Sequence, residues 1–485
     1  MAPGRGESLR VRRIAILLAL LCLVLPSPAG GDELIPGFPP CGRPLENVPP
    51  GAPRNVELAT VTDTEFVVTW LTCSADGLPA ASDTTVTWQE IGSDMETTMT
   101  FGGPTPFHYA RVRNLLPGAM YRYSVSSGGL PAVIDRLNPG VFRTLARPPG
   151  RELFRLGVLA DTHLGETVSG LATSTPFEFP PSYRSERPYP EVMARAAVAG
   201  LNRERATFTI LAADNSSHGE RHQLQALRDV LRGLRGPSLV ARGAHDHGNQ
   251  YDAARRECGP DGDCFRALFR ARERPGPEPV HRPAVAVHRG WSLIAMDSAN
   301  PSSGLGELPT EQLEWLEAKL VAADRAGRPS IVFFHHPVAH YSTTLAIPPA
   351  VFGVNQDDAN AFLDLIAAHD VRLVISAHTH RNWIAYDPRT GRTPLIEVGP
   401  SKEYPGGYSV IRVFEGGLLR TWIPTNCPFC NAWREATRGE YGGLYPPYTT
   451  GSLRDRNFEH RFDAPDVPGV PSLPTGAWPP FLCSA

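Results

Sequence analysis

Two kinds of hydrophobic pattern divide the chain after its first fifty residues. From about Arg54 to Thr144, apolar and polar residues alternate in short runs such as Glu65 to Trp70 and Thr84 to Trp88, separated by Gly, Asp, Ser and Pro. Alternation with a period of two places one set of side chains on the buried face of a strand. This region is therefore predicted to be an all-β sandwich of short strands, with Trp70 in its core.

Beyond about residue 151 the pattern changes to strands that alternate with helices. Short apolar runs are followed by segments in which apolar residues recur every three or four positions. The predicted strands are Phe154 to Ala160, Phe208 to Ala212, Ser238 to Ala241, Ser330 to Phe334, Arg372 to Ser376, Leu395 to Val398 and Tyr408 to Val413. The predicted helices are Glu191 to Asn202, His222 to Leu234, Thr310 to Ala323 and Gln356 to His369. A layered α/β domain follows.

Three segments fit neither pattern. Residues 31 to 55 are rich in Gly and Pro and are predicted to be a leader, and residues 165 to 190 are predicted to be a long loop beside the first α/β strand. The Pro-rich stretch after Cys430 is predicted to be an irregular tail. The chain is thus divided into a sandwich domain at 50–146, an α/β domain at 152–425 and a tail at 426–485.

The first thirty residues have the pattern of a secretory signal peptide. Four arginines precede an unbroken apolar run from Ile14 to Leu25, which small residues and prolines follow. A helix that crosses a bilayer needs about 20 apolar residues, so an uncleaved anchor is the weaker alternative. Leu21 before Cys22 is not the small residue that a bacterial lipoprotein signal requires. We expect an exported protein, secreted or periplasmic, without a stable membrane anchor after cleavage.

Composition and charge limit the classes of molecule that this protein is expected to bind. Of the 485 residues, 41% are hydrophobic, 47 are basic and 50 are acidic, which gives a net charge of -3. The hydrophobic content is typical of a globular chain, and a balanced charge does not indicate a nucleic-acid-binding protein. A small anionic substrate would need a local positive site.

Export also affects whether the eight cysteines are expected to form disulfides. In an oxidising compartment, the close spacing of Cys258 with Cys264 and of Cys427 with Cys430 predicts short-range disulfides. The second pair also has the spacing of a redox or zinc motif, but no second Cys pair completes a zinc site and no thioredoxin-like pattern surrounds it. Three further cysteines stay unassigned, namely Cys41, Cys73 and Cys483.

Histidine and aspartate residues follow five of the predicted strands. In chain order these residues are Asp161 and His163, Asp214, His245 and Asp246, His335, and His378 and His380. Ligands of α/β sheets bind at the carboxyl ends of the strands, so these side chains are predicted to meet in one pocket. Each signal alone is weak in a chain with 15 histidines, and the informative feature is their order and strand context.

These residues stand in five blocks that resemble those of the calcineurin-like metallophosphoesterase superfamily. The blocks are Asp161-Thr162-His163, Ala213-Asp214, Gly243-Ala244-His245-Asp246, His335-His336-Pro337 and Ala377-His378-Thr379-His380. Within the superfamily the chain looks closest to purple acid phosphatases, which share a fibronectin type III-like sandwich ahead of the catalytic domain. The run from Leu115 to Val125 is similar to the approach to a tyrosine corner, in which a Tyr hydroxyl ties a loop to the backbone. The implied fold is an α/β layered metallophosphoesterase β-sandwich flanked by helices and preceded by that all-β domain.

The resemblance implies a site for two metal ions. Its metal ligands would be Asp161, His163 and His380 for the first ion, His335 and His378 for the second, and Asp214 as the bridge. Imidazole and carboxylate ligands suit Fe, Zn or Mn, and two such ions can stabilise both the attacking and the leaving oxygen of a phosphoryl displacement. His245, oriented by Asp246, would protonate the leaving alkoxide, and a supporting hydrogen bond is its alternative role.

One departure from the family pattern removes a ligand. Ala244 stands where the family has an Asn whose side-chain oxygen binds the second metal. His247, Asn249 or an extra water could take its place. Ser217 stands where purple members carry the Tyr that binds ferric iron, so a purple protein is not expected.

Two further departures replace glycines. Ala213 and Ala377 each precede a metal-ligand position. Because alanine tolerates most conformations with negative φ, only small backbone shifts are expected.

The favoured function is therefore an exported, metal-dependent hydrolase of phosphoesters, and an acid phosphatase-like phosphomonoesterase in particular. A phosphodiesterase of the same fold is the first alternative. A catalytically degenerate binding or adhesion module is the second, because Ala244 weakens one metal position. The oligomeric state is left open.

Overall fold

The computed structural model describes residues 41, 48–167, 169, 185–247, 258, 263–269, 283–338, 353–439 and 449–463. The predicted signal peptide at residues 1–30 and most of the predicted loop at 165–190 lie outside these ranges. Within the ranges, no helix is long and apolar enough to cross a membrane.

Strands dominate the described chain. They are β1 (Arg54–Val61), β2 (Phe66–Leu71), β3 (Thr85–Glu90), β4 (Glu96–Thr100), β5 (Phe107–Val112), β6 (Met120–Ser127), β7 (Leu130–Pro131), β8 (Val141–Arg143), β9 (Glu152–Leu159), β10 (Phe208–Leu211), β11 (Ser238–Val240), β12 (Ala284–His288), β13 (Trp291–Ala295), β14 (Ser330–Phe333), β15 (Val371–Ser376), β16 (Trp383–Ala385), β17 (Leu395–Glu397), β18 (Gly407–Phe414), β19 (Gly417–Pro424) and β20 (Phe458–Arg461). The helices are α1 (Tyr189–Arg203), α2 (Arg221–Leu231), α3 (Cys264–Leu268), α4 (Thr310–Arg325), α5 (Gln356–Ala367), α6 (Pro428–Thr437) and α7 (Leu453–Arg456), and Ala244–Asp246 forms a turn of 3-10 helix.

The first eight strands form a sandwich of two antiparallel sheets. One sheet has the order β1-β2-β5, and the other has the order β4-β3-β6-β7 with β8 paired to β6. Trp70 is 1% exposed and its indole N–H donates a hydrogen bond to Ser127 Oγ at 2.9 Å, which confirms its predicted place in the core. The Tyr121 hydroxyl accepts a hydrogen bond from the Leu116 backbone N–H at 3.0 Å, so a Tyr side chain does tie this loop to the backbone.

The remaining strands form two six-stranded sheets. The β9 sheet has the order β11-β10-β9-β18-β19-β20, and the β14 sheet has the order β12-β13-β14-β15-β17-β16. Successive side chains of β14 point to opposite faces of its sheet. Ile331 and Phe333 pack into the hydrophobic core that both sheets share, whereas Val332 packs with residues of α4 and α5. Helices α1 and α2 cover the outer face of the β9 sheet. The result is a layered α/β fold, as predicted, in which two sheets are enclosed by helices.

The predicted elements of this region agree with the observed ones to within a few residues. Strands β12, β13, β16, β19 and β20 were not predicted. The predicted irregular tail is a further difference, because α6, α7 and β20 lie within it. Pro428 stands at the first positions of α6, where its missing N–H costs no hydrogen bond, and Ala432 is buried one turn later. Strand β20 adds to the sheet edge by pairing with β19.

Contacts between the sandwich and the α/β region are extensive. Phe414 of β18 and Leu419 of β19 are buried in the same hydrophobic cluster as the sandwich core. Glu57 of β1 accepts hydrogen bonds from Arg438 at 3.0 Å and from Arg456 at 2.6 Å. The unpredicted C-terminal elements therefore join the two regions through a buried carboxylate.

Three disulfides are present in the described chain. Cys258–Cys264 and Cys427–Cys430 are the two predicted pairs. Cys41–Cys73 joins two cysteines that the spacing left unassigned and fastens the segment before β1 to the end of β2. Cys483 lies outside the described residues.

Candidate metal centre

The predicted metal ligands meet where the carboxyl ends of strands from two sheets face each other. The β9 sheet supplies Asp161 and His163 after β9 and Asp214 after β10. The β14 sheet supplies its ligands after β14 and β15, namely His335, His378 and His380. Ligand atoms of Asp161, Asp214 and His335 lie within 4.8 Å of one another, so the two sheet edges do form one site.

The backbone around this site is conformationally strained. Six of the ten non-glycine residues with positive φ in the described chain belong to the blocks: Asp161, His163, Ala213, Asp214, His378 and His380. This left-handed region is disfavoured for residues with a Cβ, at a cost of roughly 1–3 kcal/mol each, and such residues concentrate at functional sites. The close turns aim consecutive side chains of each strand end into the same space.

The expectation for Ala213 was wrong in one respect. Ala213 has φ of 80°, so it occupies the conformation that the family's glycine adopts freely and alanine does not. Ala377 is not among the positive-φ residues, and there the substitution is accommodated as expected. Gly243 remains necessary, since a Cβ at this position would clash with Asp214 Oδ1.

The first group of predicted ligands is Asp161, His163 and His380. Asp161 is fully buried, and neither of its carboxylate oxygens has a hydrogen-bond partner among the described residues. His163 Nε2 is likewise buried without a partner there. His380 Nε2 lies 3.6 Å from Asp161 Oδ1, and one ligand atom from each of the three lies within 4.8 Å of the others. A buried carboxylate without a donor is costly unless a cation compensates it.

The second group surrounds Asp214. His335 Nε2 lies 3.0 Å from Asp214 Oδ2 and 3.0 Å from His378 Nδ1. His163 Nε2 approaches the same carboxylate oxygen to 3.7 Å from the other side. Asp214 therefore stands between the two groups, as a bridging carboxylate must.

Burial and charge together perturb the protonation of the site. Burial raises the pKa of Asp161 to about 6, against the opposing effect of His380. Burial acts to lower the pKa of His335, but the Asp214 carboxylate outweighs it and raises that pKa to about 9. Burial would raise the pKa of Asp214, yet His335 and His245 hold it well below its usual range. The orphaned oxygens and nitrogens and the mixture of imidazoles and carboxylates fit Fe, Zn or Mn.

His245 lies beside the metal ligands but is not oriented as predicted. Its Nδ1–H donates to the backbone carbonyl of Ser217 at 2.8 Å, its backbone N–H donates to Asp214 Oδ1 at 2.9 Å, and its side chain is 34% exposed. Asp246 does not hold the imidazole. Its buried carboxylate accepts hydrogen bonds from Asn215 and Ser216 and from the Gly243 backbone N–H at 3.0 Å. Asp246 thus fixes the loops that carry Asp214 and His245, because the turn of 3-10 helix directs its side chain away from its neighbour.

The sequence blocks missed the residues that support His380. Its Nδ1–H donates to Glu403 Oε1 at 2.7 Å, and Glu403 Oε2 accepts a hydrogen bond from Ser169 at 2.7 Å. Lys402 lies 3.3 Å from Glu403 and also pairs with Glu166. A carboxylate behind a ligand histidine fixes its tautomer and makes it a better ligand. No motif marks the loop between β17 and β18, so only the fold brings Glu403 here.

Ala244 leaves a gap that His247, one of its predicted substitutes, does not fill. The alanine is buried, and a methyl group has no lone pair to donate. His247 is buried but directs Nε2 toward Asp297 Oδ1 at 3.5 Å. Asn249 lies outside the described residues.

The comparison with known proteins assigns this fold and site to a family. The calcineurin-like phosphoesterase family matches residues 154–382. A probable cyclic nucleotide phosphodiesterase of Synechococcus sp. is 30% identical over 246 residues, which cover 48% of this chain and 83% of that protein. The chain belongs to the calcineurin-like phosphoesterase family. The superfamily inferred from the five blocks is thereby confirmed.

Two further similarities are more partial. Glycerophosphodiester phosphodiesterase GpdQ of Enterobacter lignolyticus is 29% identical over 143 residues, which cover 29% of this chain and 46% of that protein. This calcineurin-like phosphoesterase therefore spans about half the length of that relative. The structure of a purple acid phosphatase from yellow lupin seeds aligns with a TM-score of 0.39 and 15% identity over 77% of this chain and 72% of that chain.

Proposed function

We propose that this protein is an exported phosphoester hydrolase that uses two metal ions. The ligands would be Asp161, His163 and His380 for one ion, His335 and His378 for the other, and Asp214 as the bridge between them. One observation carries the proposal. Buried ligand atoms of Asp161 and His163 lack hydrogen-bond partners within the described chain, and they meet His335 of the facing sheet around the Asp214 carboxylate.

When bound, the two ions would supply a nucleophilic hydroxide and neutralise charge on the phosphoryl group. Side chains of the protein carry out the remaining steps, which are proton delivery and the orientation of a ligand. The Ser217 backbone carbonyl accepts a hydrogen bond from His245 Nδ1–H, which leaves Nε2 of this partly exposed imidazole as the nitrogen that can deliver a proton. A protonated His245 would give that proton to the leaving alkoxide as the phosphorus–oxygen bond breaks. Glu403 accepts a hydrogen bond from His380 Nδ1–H, which would keep Nε2 available to hold a metal ion.

The ester class has two candidates. The similarity of the motifs to purple acid phosphatases favours phosphomonoesters. The names of the curated relatives favour phosphodiesters, since two are probable cyclic nucleotide phosphodiesterases and one is a glycerophosphodiester phosphodiesterase. We take phosphodiesters as the better supported class, because these relatives are about twice as similar in sequence as the structural neighbours.

The N-terminal sandwich is proposed to be a fibronectin type III-like domain. Its two antiparallel sheets and the hydrogen bond to the Tyr121 hydroxyl support this assignment. Export is proposed from the signal-like first thirty residues, and three disulfides agree with an oxidising compartment.

The test measures the metal content of the protein and compares its turnover of two aryl esters. The purified mature chain is analysed for bound metals and assayed with bis(p-nitrophenyl) phosphate and p-nitrophenyl phosphate, with and without chelator. We expect about two metal ions per chain and chelator-sensitive turnover that is faster for the diester. Faster monoester turnover would favour the acid phosphatase candidate, and a metal-free, inert protein would leave the binding module as the function.

A further inference from the structure

The second metal position lacks one protein ligand in the family pattern, and the structure offers a replacement. Ala244 cannot contribute, and His247 is engaged with Asp297. His336, which directly follows the ligand His335, has no role in the sequence motif. It is nevertheless fully buried next to the second group of ligands.

His336 is held mainly by Ser298, and the Gly304 backbone also lies near its ring. Ser298 Oγ accepts a hydrogen bond from the His336 backbone N–H at 2.9 Å and lies 3.1 Å from its Nδ1. When Nδ1 carries the proton and donates it to Ser298 Oγ, the lone pair of Nε2 is available. This arrangement of a fixed tautomer with an outer hydrogen bond is typical of metal-binding histidines.

The other ring nitrogen has no such partner. Nε2 of His336 is buried without a hydrogen bond to any residue that the structure describes. Leaving a buried polar atom unsatisfied costs roughly 1–3 kcal/mol, which is a reason to expect a ligand there.

The position of the His336 ring indicates that this ligand is a metal ion. The His336 ring centroid lies 4.7 Å from that of His335 and 4.4 Å from that of His378. One ring nitrogen from each of the three lies within 4.8 Å of the others. Two buried imidazoles and the partly buried imidazole of His378 form, at this spacing, a nitrogen-rich cluster that a single cation can share.

We propose that His336 Nε2 replaces the missing Asn as a ligand of the second metal ion. The inference rests on the proposed two-metal function. The second position would then have three imidazoles and the Asp214 carboxylate in place of two imidazoles, an amide and a carboxylate. Exchanging an amide oxygen for an imidazole shifts the preference toward Zn and away from Mg or Mn, which favour oxygen ligands.

Zinc binding by single variants tests the proposal. Apo protein is prepared with chelator, loaded with Zn²⁺, and measured for zinc per chain and for dissociation constants by chelator competition. Relative to wild type, His336→Ala should weaken the second zinc by about 10- to 100-fold and leave the first unchanged. The matched control is His247→Ala, a buried histidine near the site that should keep both affinities.

A rescue separates ligation from packing. In the His336→Ala background, Ala244→Asn should restore the second zinc, because it returns the family's oxygen ligand. His336→Gln serves if the alanine variant does not fold, and the increase in Tm on adding Zn²⁺ is measured beside the Tm of the apo form. A smaller zinc-dependent increase than in wild type, with an unchanged apo Tm, supports ligation, because only the second zinc is weakened.

The outcomes also separate this inference from the proposed function. Two zinc ions bound with unchanged affinity in the His336 variants would overturn the role of His336 and leave the two-metal function intact. A wild-type chain that binds one zinc ion, with the same affinity in His336→Ala, would also overturn it. A wild-type chain that binds no zinc would instead refute the two-metal function on which the inference rests.

Discussion

Replacing Glu57 with Gln should destabilise the protein in a pH-dependent way. The carboxylate is 1% exposed and accepts hydrogen bonds from Arg438, Arg456 and the Tyr404 hydroxyl. Burial by itself would raise its pKa, but Arg456, Arg438 and Arg434 outweigh burial and lower the pKa from 4.5 to about 2. Each pKa unit corresponds to about 1.4 kcal/mol, so the ionised carboxylate contributes about 3 kcal/mol to the free energy of unfolding.

The direction in which stability changes with pH follows from the lowered pKa of Glu57. The contribution is present above the unfolded pKa of 4.5 and is lost as the pH falls toward about 2. At pH 7, Glu57→Gln should cost about 3–5 kcal/mol, because it leaves buried arginines without their charge partner. Between about pH 5 and pH 2, the difference in unfolding free energy between wild type and variant should shrink by about 3 kcal/mol.

Urea unfolding followed by circular dichroism measures this difference, with both proteins in excess chelator so that metal binding does not contribute. The matched control is Glu415→Gln, which removes a carboxylate that is 51% exposed and 3.5 Å from Arg151. An exposed ion pair of this kind should change the unfolding free energy by less than about 1 kcal/mol at pH 7. A wild-type-minus-variant difference for Glu57 that stays constant from pH 7 to pH 2.5 would refute the reasoning.

Three further changes test the site and its backbone. Glu403→Gln should weaken metal binding at the first position by about 10- to 100-fold, as measured by chelator competition, because His380 loses its carboxylate partner; an unchanged affinity would argue against that support. Ala213→Gly should raise the free energy of unfolding by about 1 kcal/mol because φ is 80°, whereas Ala377→Gly should lower it by a similar amount in the same urea titration. Equal effects of the two glycines would contradict the assignment of strain. His245→Gln should lower kcat by about 10²- to 10⁴-fold for an alkyl ester and much less for a p-nitrophenyl ester, whose leaving group needs no proton; an equal loss for both esters would exclude proton donation.

Much of the α/β region could be predicted from hydrophobic periodicity. Helix α4 was predicted at its observed first residue because its apolar residues recur along one face, and β14 was predicted to within one residue from its short apolar run. Strand β19 was missed although all eight of its residues are buried, because Arg420 and Thr421 interrupt its apolar run. The helix α6 was missed because prolines and glycines around it suggested an irregular tail.

The site could be predicted to the extent that it depends on blocks at strand ends. Asp161 and Asp214 meet because the parallel strands β9 and β10 end at one sheet edge, and His335 reaches them from the end of β14 in the facing sheet. Glu403 could not be predicted, since its place depends on the course of the loop between β17 and β18, and the role proposed for His336 depends on which way its side chain turns. Asp246 shows the same limit: its carboxylate acts on Asn215 and not on the histidine beside it in sequence.

The two-metal site is tested most directly by an anomalous difference map from crystals of the zinc-loaded protein, recorded at the zinc absorption edge. The account predicts two peaks about 3.5–4 Å apart on either side of the Asp214 carboxylate, one near Asp161 and His380 and the other near His335 and His378. A map with no peak between these residues, or with zinc bound only elsewhere on the protein, would contradict it.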